Sequence, residues 1–170
     1  MSKRHDLGDA FRTAFRHHPS GVAILTAEGP DGPVALTISS LVSVSPAPPL
    51  VAFSLSSATR SSAAFLQART LVIHFPRHAD RALAQLCATP GSDRFGPGIG
   101  WDRLPTGEPR YTAIPTWFRA RLRETLAVEG ATLVTAELLS GEAAAAGPEA
   151  LVYLDRAWHG LCPGPSRPVA

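Results

Sequence analysis

Residues 35–50 read ALTISSLVSVSPAPPL, a run that no helix accommodates. Pro46, Pro48 and Pro49 each lack a backbone N–H and clash with a preceding helical turn. Thr37, Ile38, Val42 and Val44 are stiff β-branched residues that favour extended chain. In a strand, successive side chains point to opposite faces. Ala35, Thr37, Ser39, Leu41, Ser43 and Ser45 then share one side, and Leu36, Ile38, Ser40, Val42 and Val44 the other. One face is oily, the other carries small hydroxyls, and the prolines end the strand.

Short strands between turns recur along the chain. Leu7, Ala10, Phe11, Ala14 and Phe15 predict a helix over 6–17, capped by Asp6 and broken by the following "PSG". "VAILTA" and "LVAFSL" read as strands, with "EGPDGP" as a turn. A helix is expected from about Ser61, a strand over "TLVIHF", and a short helix opening near Ala79. Residues 91–110 have no periodicity and many turn formers, which marks a long functional or mobile loop. "TWFRARLRETLAVEG", "ATLVTAELLSG" and "ALVYLDRAWHGL" read as three long antiparallel strands, the first with a basic outer face at Arg119, Arg121 and Arg123. "GEAAAAGPE" is a hairpin-like connection. Residues 1–162 are expected to form one domain, and 163–170 a disordered tail. The pattern predicts a mainly β fold, a closed barrel with a few short helices.

Composition narrows the function classes. With 170 residues and 45% hydrophobic content, the chain can bury a core. A net charge of +2 argues against a nucleic-acid partner. No apolar run approaches the ~20 residues that span a bilayer, and the N-terminus has no signal-peptide pattern. Cys87 and Cys162 lack metal-ligand spacing, Cys87 reads as a buried small hydrophobe, and a reducing cytoplasm is expected.

Hydroxyl rows often face solvent. Here the outer faces of the later strands carry Arg and Glu instead. A second cluster, SLSSATRSS (Ser54–Ser62), lies just before a helix and includes Arg60. Hydroxyls, a helix start and an arginine suit a phosphate. A neutral hydroxyl strand beside it suits a polar aromatic ring system. Singly, these residues read as a plain N-cap and an exposed arginine; together they favour a phosphorylated cofactor.

The chain resembles the flavin reductase-like, FMN-binding split-barrel proteins, the small reductase partners of two-component flavin monooxygenases. The resemblance runs from about Phe11 to Leu161. It opens with FRTAFRHHPSGVAILTA and peaks at ALTISSLVSVSPAPPLVAFSL, similar to the family's GMT-x-SS-F-x-SVS-x-x-PPLV. TLVIHF, RALAQLCA, DRF and ALVYLDRAWHGL follow in order. It implies a Greek-key split barrel and a homodimer with flavin near the subunit boundary. Thr37, Ser39, Ser40 and Ser45 would line the flavin, and Ser57, Thr59, Arg60 and Ser61 would take its phosphate. It further implies FMN or FAD as cofactor, with NADH or NADPH passing hydride to the flavin for release to a partner monooxygenase. No ionisable catalytic residue and no metal are implied. The alternative is a flavin-binding carrier, sensor or accessory subunit; a third reading keeps the barrel as a structural dimer without cofactor.

The chain departs from the family pattern in three places. GMT becomes ALT at Ala35 and Leu36, and a strand Asn becomes His74, read as a satisfied structural residue. The His of a G-D-H motif before the penultimate strand falls at Ala131, which bears on reduction rather than on flavin binding. Trp101 is expected to cover the flavin or substrate, Trp117 to sit in the core or dimer interface, and Asp93 and Arg94 to pair locally.

Overall fold

The computed structural model describes residues 7–57, 59–145, 149–162 and 164; of Arg60 it describes the backbone alone. A seven-stranded antiparallel sheet dominates. In spatial order it runs β3 (Gly32–Ile38), β2 (Ala23–Gly29), β6 (Thr70–His74), β9 (Trp117–Val128), β10 (Ala131–Glu142), β5 (Pro49–Ser56) and β4 (Val42–Pro46). The end of β3 curls toward β5, where the Ser40 hydroxyl donates to the Ser54 carbonyl at 3.2 Å and accepts from the Ser54 N–H at 3.0 Å. β1 (Ser20–Gly21), β11 (Ala150–Leu154) and β12 (Ala157–Leu161) form a small second sheet, and β7 (Trp101–Arg103) pairs with β8 (Pro109–Tyr111). The helices are α1 (Leu7–Arg16), α2 (Arg60–Gln67) and α3 (Arg81–Ala88). The architecture is mainly β, as the turn spacing predicts.

The sheet has buried residues on both sides at β2, which explains why "VAILTA" is apolar but for Thr26 rather than alternating. Ala23, Leu25 and Ala27 pack inside the curl with Phe53, Leu71, Ile73, Val134 and Phe65 of α2. Val22 and Ile24 face the opposite way, against Ala84 and Cys87 of α3, Tyr111, Ile114 and Leu151. Thr26, buried among them, donates its hydroxyl proton to the Pro109 carbonyl, so its own buried hydroxyl is satisfied. Cys87 is a buried free thiol 3.3 Å from the Tyr111 hydroxyl.

Several expectations are corrected. The hydroxyl strand is two strands, β3 and β4, because the Ser40 side chain takes over backbone groups of Ser54 and the chain turns a corner between Ile38 and Val42. ALVYLDRAWHGL is a hairpin, not one long strand: Leu154 pairs with Ala157 across a two-residue turn. The stretch 91–110 is not structureless, since it contains β7 and the start of β8. Glu108, 4% exposed, pins it by accepting hydrogen bonds from Thr70, Thr106 and Arg119. Asp93 and Arg94 do not pair. Asp93 caps the Phe95 N–H, whereas Arg94 reaches the carbonyls of Ala35 and Thr89 and the Ser61 hydroxyl. Trp101 donates to the Phe95 carbonyl and packs edge-on against its ring, so it organises this segment. Trp117 is buried. Part of "GEAAAAGPE" (146–148) and most of the expected tail (163 and 165–170) lie outside the described residues.

Candidate functional site

Where β3 ends and α2 begins, a groove of about 270 Å³ is lined by Thr37, Ser39, Ser40, Ser54, Ser56, Thr59 and Ser62, with Leu36 and Ile38 behind them. None of these side chains is charged. Strand β3 supplies Thr37, whose hydroxyl donates to the Ala84 carbonyl of α3 at 2.7 Å. The corner after it supplies Ser39 and Ser40. Ser54 and Ser56 alternate on β5 and so face the same way. Thr59 caps α2 by accepting from the Ser62 N–H at 3.2 Å, and the two hydroxyls meet at 2.6 Å.

Four of the expected residues, Thr37, Ser39, Ser40 and Thr59, therefore meet in one groove. Ser45 lies outside it, in the β4–β5 hairpin, where its hydroxyl accepts from the Ala47 N–H at 3.2 Å. Ser57 sits in the turn after β5, its N–H bonded to the Gly130 carbonyl. Ser61 points toward Arg94, which donates to it at 3.1 Å. Arg60 opens α2, and its side chain lies outside the described residues.

The sequence holds Ser54, Ser56 and Ser62 only as members of the SLSSATRSS cluster, and the reach of Arg94 is not foreseen. The alternation in LVAFSLS was a usable signal for the first two. Arg94 lies in the DRF stretch of the family resemblance, but nothing local marks its reach: it delivers a fixed positive charge to the first turn of α2, and its Nε is buried with no partner among the described residues. Opposite Ser56, at the rim, Ala131 opens β10.

The groove also touches a larger, mostly apolar hollow of about 560 Å³ through Ser40 and Ser54. Val42, Leu126, Leu133 and Thr135 line that hollow on the outer face of β4, β5, β10 and β9.

A family model of the flavin reductase like domain matches residues 15–161, nearly the whole chain. The chain belongs to that family. This flavin reductase-like domain is 38% identical over 124 residues to an NADH:FMN oxidoreductase of Rhodococcus erythropolis, covering 73% of the chain and 65% of the relative. The chain thus spans somewhat under two-thirds of the length of that relative. It is 32% identical over 154 residues to an FMN reductase (NADH) RutF of Methylorubrum extorquens, covering 89% of the chain and 74% of the relative. Among solved structures it superposes on a flavin reductase domain protein of Arthrobacter with a TM-score of 0.86, at 25% identity over 94% of the chain and 98% of the other. The styrene monooxygenase flavin reductase of Pseudomonas putida gives 0.80 at 25% identity, over 92% and 99%.

The residues of the flavin reductase-like domain fit a flavin mononucleotide unit. The groove is neutral, rich in hydroxyl acceptors and backed by Leu36 and Ile38. It ends at the start of α2, where the helix terminus and the Arg94 charge favour an anion.

Proposed function

We propose that this protein is an NAD(P)H-dependent flavin reductase that supplies reduced FMN or FAD to a partner monooxygenase. The observation that carries the reading is the uncharged hydroxyl groove running from Thr37 to Thr59 at the head of α2. The names of the Rhodococcus and Methylorubrum relatives support it. A flavin bound there would supply the electron-accepting ring, since redox chemistry of this kind resides in the cofactor.

The chain's own contribution is positioning and electrostatics. Thr37 and Ser40, each held by a backbone partner, present oriented oxygen atoms. Thr59 and Ser62 fix the helix start, and Arg94 balances negative charge from behind Ser61. Oriented dipoles of this sort need no reorganisation when charge develops on a ligand.

The working unit under this reading is a homodimer in the cytoplasm. Val42, Leu126, Val128 and Leu133 stand 56%, 61%, 43% and 47% exposed. Such an apolar face, continuous with the flavin groove, suits burial against a second copy. The two free thiols fit a reducing compartment. No helix among the described residues is long and apolar enough to cross a membrane.

Ala131 at the groove rim favours a second reading, a flavin-binding subunit without its own reductase activity. Anaerobic mixing of protein, FMN or FAD, and NADH or NADPH separates the two. Loss of oxidised-flavin absorbance well above the protein-free rate supports the reductase. Flavin binding with no donor-driven bleaching would leave the accessory reading standing.

A further inference from the structure

Helix α1 turns its apolar face away from the protein. A surface helix normally sets such a stripe against the core. In α1 no residue is buried, and none joins either apolar core. Leu7, Phe11 and Phe15 follow one another four residues apart and stand 82%, 57% and 61% exposed. The rings of Phe11 and Phe15 lie 4.5 Å apart, so the stripe is continuous. What ties the helix to the body is its C-terminal end, where the Arg16 carbonyl accepts the Asp155 N–H at 2.9 Å. There Arg12, Phe15 and Arg16 line a groove with Ser39, Tyr153 and Arg156. Leu7 and Phe11 take no part in it.

The same segment holds the charge surplus of the chain. Residues 1–18 contain four of the sixteen Lys and Arg and two of the fourteen Asp and Glu. That difference of two equals the net charge of the whole chain, +2, so residues 19–170 sum to neutrality. His5, His17 and His18, half of the six histidines, lie in the segment too. An outward stripe of Leu and Phe in a basic segment is the pattern of a helix that lies in a membrane interface.

We propose that α1 docks on an anionic lipid surface. Leu7, Phe11 and Phe15 enter the boundary between headgroups and acyl chains, and the basic residues of the segment meet the lipid charge. Charge favours this occupant over a second copy. Contact between two α1 helices would bring two positive segments together, whereas an anionic leaflet complements each of them. The apolar face that suits a second copy is a different one, on β4, β9 and β10. Three large side chains with so small a surplus make a reversible anchor, not a permanent one. The inference stands apart from the flavin reading.

Vesicle sedimentation of the full chain tests it without flavin or donor. Wild type is compared on phosphatidylcholine alone and on phosphatidylcholine with about a quarter phosphatidylglycerol. Binding should be about tenfold tighter on the anionic vesicles and should fall away in about 0.5 M salt, where charges are screened within a few ångströms. The double variant Leu7→Ser with Phe11→Ser should lose that binding about tenfold while keeping its melting temperature, because neither side chain is packed in the fold. Wild type that stays in the supernatant with anionic vesicles, or that binds both lipids equally, overturns the inference. So does a double variant that binds like wild type. Light scattering without lipid covers the remaining occupant: a double variant that turns a dimeric wild type into a monomer gives the stripe to a second copy and overturns the lipid assignment.

Discussion

The backbone N–H of Tyr111 donates to Nε2 of His74 at 3.0 Å, and the opposite ring nitrogen lies 3.1 Å from the Ile24 carbonyl. An Nε2 that accepts leaves the proton on Nδ1, so the neutral ring satisfies both neighbours and joins β2, β6 and β8 at one point. His74 is therefore structural, as the sequence suggests.

Burial lowers the His74 pKa to about 4 from 6.5, helped by the Arg110 charge and opposed by the bond to Ile24. The unfolded chain thus binds the extra proton first. The stability tied to this ring is complete above about pH 6.5 and is lost as pH falls toward 4. The loss is at most roughly 3 kcal/mol. Urea unfolding at pH 7.5 and 4.5 should show a larger drop for wild type than for His74→Asn. Equal drops would remove His74 as the cause.

Glu108 offers a second stability test. Burial pushes its carboxyl up, but hydrogen bonds from Thr106, Thr70 and Arg119 outweigh that and hold it below the usual range. Glu108→Ala strands the half-buried Arg119 and two threonines, and should cost about 3 kcal/mol, since breaking a buried pair from one side leaves the other charge uncompensated. Chemical denaturation reads this directly; a cost under about 1 kcal/mol would mean that water replaces the carboxylate.

Groove chemistry predicts that Thr37→Val and Ser40→Ala weaken flavin binding by about tenfold each, one charge-free hydrogen bond's worth. Fluorescence titration with FMN measures it. Ser45→Ala, in the hairpin outside the groove, should bind like wild type, and a Ser45 effect as large as that of Ser40 would relocate the site.

At the rim, Ala131→His restores a donor opposite Ser56. We expect a several-fold rise in kcat for NADH oxidation with an unchanged Kd for FMN. A changed Kd with constant kcat would instead put this position on the flavin.

The apolar outer face makes its own forecast. Leu126 and Leu133 are cross-strand partners on β9 and β10, so Leu133→Lys sets a charge in the centre of the patch. Light scattering after gel filtration should show a dimer for wild type and a monomer for the variant. A monomeric wild type would remove the second copy from the reading.

How legible all this was depends on where the deciding interaction lies. β2 was plain in VAILTA because burial on both faces writes itself as a run that is apolar but for Thr26. Thr37, Ser39, Ser40 and Thr59 were readable because a strand and a helix cap are local matters. The break in the hydroxyl strand was not, since it depends on Ser40 bonding to Ser54 fourteen residues on. The β11–β12 turn was hidden because Asp155 and Arg156 lack the glycine that usually marks a two-residue hairpin turn. Arg94 was assigned to its neighbour Asp93, although its partners Ala35 and Ser61 are distant in sequence and come close only once the sheet has curled.

One consequence of the hydroxyl groove concerns protons. Thr37 has given its proton to the Ala84 carbonyl, Ser40 has given its own to Ser54, and Thr59 and Ser62 share one between them. What these side chains offer outward is mostly lone pairs. At these four positions a guest does best to bring hydrogens of its own. A polyol chain does so at every carbon, and the imide edge of an oxidised flavin ring does so once. A guest bearing only carbonyls would find these hydroxyls already spoken for.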